Sequence, residues 1–371
     1  MNARERFFAA LNGEPTDHVP VWLLFPYHKT NYYADVRTAP SYAEVVAASQ
    51  RYAIALNRRN PAVRLFSPEV RAWSEKAVDG ADRITRSFLE YKGKRLTAEV
   101  RNAKDGSTVQ RLLRDEADLE FYCALPVNTD AAAVTAELDA HLPAYLAERA
   151  EFPAESGAMM LDLGEPIGPL YHASKLEEYA TWSLTHSDLV VRFLDRVMAQ
   201  KRLVYQYFLD RQLADVYFMV GSELASPPLV SPRTFRAWVL PYAAELIAMV
   251  HASGSAKVIQ HYHGQIKEVL PGFLDMKADA VHTIEAPPVG NCTFTQAFDI
   301  VGDKITLIGN IQYEEFSALT PAQMADAVRA VIAECRGKRF ILSPSAGPYA
   351  PAISRRVAEN YLTFMRTAWE A

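Results

Sequence analysis

Cysteine is scarce: Cys123, Cys292 and Cys335 are the only three in 371 residues, far apart and with no C-x-x-C pair. Such a set builds neither a disulfide framework nor a thiolate zinc cluster, so each is expected as a buried free thiol. Long apolar runs are also missing. The most apolar stretches, such as VLPYAAELIAMV, are short, and this one carries Pro241 and Glu245, so nothing is expected to span a bilayer. The opening MNARERFFAALNGEP mixes Phe7, Phe8 and Leu11 with Arg4, Glu5 and Arg6. It reads as an amphipathic helix and not as a signal peptide, which makes the cytoplasm the expected location. No long basic run occurs, and 39 Lys plus Arg against 44 Asp plus Glu leave a formal charge of −5. That balance argues against a nucleic-acid partner.

What is present suits a large folded core: half of the residues are hydrophobic and 22% are charged. From Val19 onward short β-rich runs precede longer helical patterns, the order expected of parallel strands with crossover helices. The runs are VPVWLL at 19–24, AVRLFSPEV at 62–70, then 157–166, 215–223, 257–264, 279–286, 304–311 and 338–347, eight in all. Ser187, Ser231-Pro232 and the capping box Thr320-Pro321 with Gln323 mark helix starts. Segment 127–155 reads as helical, and residues 95–113 alternate around Asp105-Gly106, a hairpin signal. Eight strands with intervening helices and no glycine-rich dinucleotide fingerprint point to a (β/α)8 TIM barrel over residues 1–371, with an N-terminal helical extension and an inserted β-hairpin.

In such barrels chemistry sits at the C-terminal strand ends. Those ends carry Asp162 and Glu165, Glu223, His261 and His263, Glu285, Asn310, and Ser343 and Ser345. The key stretch is AKVIQHYHG at 256–264. Alternation puts His261 and His263 on one face of a strand, with Gln260 and Tyr262 on the other. The same rule sets Glu285 with Val281 and Thr283, and turns His282 the opposite way, towards the helices. A zinc ion takes three or four N, O or S donors at about 2.0–2.3 Å, and catalytic sites leave one position open. His261, His263 and Glu285 are the expected metal set, with Glu223 as the alternative carboxylate, and both glutamates are candidate catalytic groups. Local hydrogen bonding of the histidines and capping by Glu223 are the structural alternatives. Trp22, Phe25, Tyr27, His28, Trp73 and Tyr349 could wall a substrate pocket, joined by Asn310 and Ser345 at the strand ends.

The chain resembles the uroporphyrinogen decarboxylase superfamily, and within it the cobalamin-dependent methyltransferases. The likeness runs through RERFFAALNGEPTDHVPV, SPRTFRAWVLPYAAELIAMVHASG leading to HYHG, LIGNI, FILSPSAGP and NYLTF. It implies a (β/α)8 barrel with its site at the C-terminal mouth. In the thiol-methylating branch the zinc ligands are a His-x-Cys pair and a later Cys. His261 matches the histidine, His263 stands at the first cysteine, and the second falls near Ala346. The resemblance therefore implies a site whose sulfur is exchanged for nitrogen and oxygen, a harder Lewis acid suited to polarising oxygen. The function expected is zinc-dependent transfer of a methyl group from a small methoxy substrate to the corrinoid of a partner protein. Uroporphyrinogen decarboxylases proper carry an arginine-rich segment where WLLFPYHKT stands here. Decarboxylation of a smaller acid is the alternative, and a non-catalytic ligand-binding barrel a further one. A homodimer is left open.

Overall fold

The computed structural model describes residues 1–371 apart from the side chain of Ser222. Seven parallel strands form one curled sheet: β1 (Ala55–Arg59), β6 (Gly157–Leu161), β7 (Val216–Met219), β8 (Lys257–His261), β9 (Ala280–His282), β10 (Thr306–Ile311) and β11 (Phe340–Pro344), hydrogen-bonded in that order. Between β1 and β6 lies a separate antiparallel sheet of β2 (Arg71–Asp79), β3 (Asp82–Tyr91), β4 (Lys94–Ala103) and β5 (Gly106–Gln110). The Asp105-Gly106 hairpin forms as expected, at the β4–β5 turn, but as half of this four-stranded sheet.

Two strand expectations need correction. The strand expected at 62–70 is instead Ala55–Arg59; within 62–70 only Phe66 makes an isolated bridge, to Val127. ALNRR lacks the β-branched run that marks strands, yet it pairs with Gly157–Leu161 in register from Ala55 to Arg59. Residues 19–24 form no extended strand; Val21 bridges Leu342 and Trp22 bridges Ile54, both in parallel, so this short segment touches both edges of the sheet.

The sheet's alternation separates two cores. Leu56, Ala158, Met160, Val216, Phe218, Ile259, Ala280, Ile308 and Ile341 point inward and pack with Trp22, Phe7 and Leu11. The outward residues, such as Tyr217, Val258, Val281, Leu307 and Leu342, pack under the helices. Phe7 and Leu11 come from the N-terminal helix Ala3–Asn12, which has an Asn2–Glu5 capping box and ends on Gly13 in the left-handed region. Thr306 at the start of β10 donates to Ala10 of that helix, tying it to the N-terminal end of the sheet. All three cysteines are buried free thiols. No described helix is long and apolar enough to cross a membrane.

A polar group is sealed between the sheet and the helix Ser187–Asp210. Gln260 donates to Glu165 at 3.2 Å, Lys201 donates to the Leu163 carbonyl, and the second Glu165 carboxyl oxygen has no partner among the described residues. Burial pushes the Glu165 carboxyl up to about 8 and pulls the Lys201 ammonium down to about 8.

Two measurements follow from this packing. A Cβ at Gly157 would lie 2.3 Å from the Ala55 carbonyl oxygen and 2.3 Å from the Phe152 ring. Gly157→Ala is expected to lower stability by about 1–3 kcal/mol in a denaturant titration, whereas Gly168→Ala, with open space around it, should change it by less than about 1 kcal/mol. Folded Glu165 keeps its proton to about 8, while the unfolded carboxyl releases it near 4.5. Its contribution is therefore full below 4.5 and lost as pH rises to about 8. Denaturation midpoints across that range should show this loss in the native protein and a flatter profile in Glu165→Gln.

Candidate functional site

The parallel register between β8 and β9 sets His261 directly beside His282. Their rings stack at 4.9 Å between centroids, 15° apart, and their Nδ1 atoms lie 2.7 Å from one another. The expectation that His282 turns towards the helices is therefore wrong. It faces inward with Ala280 and Ile259, contacts Trp22 and Phe218, and is fully buried at 0% exposure. The strand ends at His282, so alternation does not carry on to Glu285, which reaches the site from the following loop. His282 Nε2 lies 3.1 Å from the Pro344 carbonyl oxygen at the end of β11.

His263, two residues beyond β8, lies 4.7 Å from His261 between ring centroids, nearly perpendicular, so the two expected imidazoles do converge. Its side chain is 39% exposed, and its Nδ1 sits 3.3 Å from Glu285 Oε1. Glu285 also accepts the Gly264 N–H at 2.6 Å and the Gln312 amide at 3.4 Å. Ser345 in turn donates to Gln312 Oε1 at 3.0 Å and accepts the Tyr313 N–H. Four strand ends are thus linked by one chain of hydrogen bonds. Gly290 lets the loop fold this closely: a Cβ there would lie 2.1 Å from the Glu285 carbonyl oxygen and 2.7 Å from that of Gly264.

The electrostatics of neighbouring histidines diverge. Burial, then the nearby His282, His263 and Arg58, holds His261 well below the usual imidazole range, and burial brings His282 down to about 3. Burial also acts against a charge on His263, but the hydrogen bond and charge of Glu285, with Glu223 behind it, outweigh it and raise its pKa. Glu285 moves down, burial being overruled by His263 and the Gly264 N–H. Burial raises Glu223, whose carboxylate accepts the Gly221 N–H at 2.8 Å, the local capping foreseen as the alternative. Burial thus favours the uncharged form of His261 and His282, whereas Glu285 favours the charged form of His263.

The expected metal set, His261, His263 and Glu285, is therefore gathered in space but not in a metal-holding arrangement. Glu285 is committed to three donors and His261 Nδ1 to His282. Among the described residues no group of three or more His, Cys, Asp or Glu is placed to hold a metal ion.

The expected substrate wall divides. Tyr349 remains in the same neighbourhood, its ring against Tyr33 and Tyr313, and Asn310, one residue before the end of β10, pairs with Ser343. Tyr27 instead packs on Phe152 and lines a different, 300 Å³ cavity with Phe25, Val46 and Ala53. His28 bonds Asn57, and Trp73 stacks on Phe88 in the antiparallel sheet. None of these three touches the histidines. Sequence reasoning missed Arg58, the penultimate residue of β1, paired to Asp162 over the rings of Tyr32 and Phe218, with Nε unpartnered among the described residues. Its only signal was ALNRR, too polar to read as a barrel strand. Gln312 and His282 were also missed.

Comparison with known proteins bears on the fold and the family. Among solved structures, a methyltransferase from Methanosarcina mazei superposes with a TM-score of 0.61 at 15% identity, covering 100% of this chain and 99% of that one. A B12-independent methionine synthase from Shewanella sp. W3-18-1 in complex with selenomethionine gives a TM-score of 0.45 at 11% identity, over 95% and 97%. The first likeness is one of fold, along the whole length. No curated protein matches. The sequence profile of the family Uroporphyrinogen decarboxylase (URO-D) matches residues 170–364, more than half of the chain and the part that holds all three clustered histidines. The chain belongs to the uroporphyrinogen decarboxylase family.

Proposed function

We propose that this protein is a methyltransferase that moves the methyl group of a small methoxy compound to the corrinoid of a partner protein. The observation that carries the reading is the oppositely tuned pair at the mouth: His261, whose surroundings disfavour charge, beside His263, whose charged form is favoured by Glu285 at 3.3 Å. Environments that drive neighbouring groups apart in this way assign acid and acceptor roles. The proposal also includes closure of the sheet into an eight-stranded barrel by residues 19–24, one domain over 1–371, a cytoplasmic location and a homodimer.

In the proposed reaction the electron pair of the breaking C–O bond stays on oxygen. Expelling a bare alkoxide is costly, so a positioned acid speeds the step. His263 turns Nδ1 towards Glu285, which leaves the Nε2–H to protonate the departing oxygen. Glu285 keeps that imidazole charged until the proton leaves. The methyl group passes to the nucleophile of the corrinoid substrate. No three of the candidate donors are gathered around one point among the described residues, so no step is derived through a metal.

Arg58 favours a second reading, decarboxylation of a small acid. Its unpartnered Nε in the mouth is suited to a substrate carboxylate.

Under the first reading His263→Gln lowers kcat by roughly 10²–10⁴-fold. The rate is full below the raised pKa of His263 and falls as pH climbs through it; Glu285→Gln moves that fall to lower pH. Methyl transfer assayed with a reduced corrinoid protein, with and without chelator, checks this, and dependence on zinc lost in His261→Ala or His263→Ala would restore a metal mechanism. The second reading expects carbon dioxide from candidate acids without any corrinoid protein, abolished by Arg58→Met. The first expects none.

A further inference from the structure

Fully buried His282 and partly buried His261 form a pair that the proposed reaction leaves unexplained. Their Nδ1 atoms are 2.7 Å apart, a separation that two lone pairs do not tolerate and that one shared proton satisfies. The question is which ring owns it.

The surroundings of His282 decide. Its Nε2 lies 3.1 Å from the Pro344 carbonyl oxygen, which can only accept, so this nitrogen carries a hydrogen. Ser343 Oγ, 3.4 Å from the same nitrogen, is a weaker partner, and it has a better acceptor of its own in Pro344 O at 3.0 Å. Neutral His282 therefore has a bare Nδ1. The shared proton then belongs to His261 Nδ1, and His261 presents a bare Nε2. That atom has no hydrogen-bond partner among the described residues, and His261 is only partly buried at the end of β8. Burial keeps both rings uncharged, in agreement with a single proton between them.

We infer that His282, braced by the Pro344 carbonyl, is a positioning residue that locks His261 in its Nδ1–H tautomer, so that His261 meets the substrate as a hydrogen-bond acceptor. The arrangement is that of a histidine oriented by the partner on its far nitrogen. It imposes a specificity: the group opposite His261 carries an O–H, N–H or S–H donor, and a substrate methylated or deprotonated at that position is excluded. The tautomer follows from the hydrogen bonds alone; its catalytic use rests on the methyltransferase reading.

Two-bond ¹H–¹⁵N correlation spectra of the full chain with ¹⁵N-labelled histidine test the assignment, with the His261 signals identified by their loss in His261→Gln. The native protein is expected to show a protonated Nδ1 and a bare Nε2 for His261. Ser343→Ala leaves this unchanged. His282→Leu removes the acceptor and shifts His261 towards the Nε2–H form, while His282→Asn, whose side-chain oxygen can accept in place of Nδ1, retains the native pattern. A protonated Nε2 on native His261, or a pattern that reverses in Ser343→Ala, overturns the inference even if His282→Leu does not fold. In the methyl-transfer assay His282→Leu is expected to lose roughly 10–100-fold and His282→Asn to recover most of it. If the tautomer is as stated but His261→Gln leaves activity intact, the inference stands and the methyltransferase role of His261 falls.

Discussion

The parallel pairing of β8 with β9 is the constraint on which the site depends. In-register parallel strands bring side chains of equal height next to one another, and here that register pairs His261 with His282. Both sit at the last paired position of their strands, so both imidazoles emerge above the apolar filling of Ile259, Ala280, Ile308 and Phe218. A slip of one residue in either strand would send one ring out under the helices. The buried pair, the orientation of His261 and the approach of His263 follow from that alignment.

Above this pair the environment changes sharply over one turn of loop. Burial favours the neutral form of His261 and His282, whereas His263 reaches solvent and Glu285 favours its charged form. Glu285 can hold it because Gly264, Gln312 and, through Gln312, Ser345 fix its carboxylate. Arg58 with Asp162 adds a buried ion pair from β1 and the end of β6. In a family whose members share a scaffold, such differences at the rim are where chemistry diverges.

How far the sequence could be read varies with how local the cause was. The capping boxes at Asn2–Glu5 and Thr320–Gln323 form as their motifs demand, because both partners lie within one turn of each other. The six later strands were readable as short apolar runs placed ahead of helical patterns. Ala55–Arg59 was not, since its place in the sheet comes from pairing with Gly157–Leu161 and its polar end from Asp162, both about a hundred residues away. His282 was assigned to the wrong face because alternation was extended to Glu285, past the point where β9 ends. Trp73 and Tyr27 were grouped with the site on residue type alone, and the fold sends them elsewhere.

Composition, the βα rhythm and the HYHG motif by themselves determined the class of fold, the polar strand ends and the convergence of His261 with His263, because hydrophobic periodicity and local capping are written in contiguous residues. Which imidazole lies against which acceptor, and so which is neutral and which charged, was decided only by tertiary structure. Burial and hydrogen-bond partners such as Pro344, Gln312 and Arg58 come from strands distant in the chain, and no local pattern encodes the distance between them.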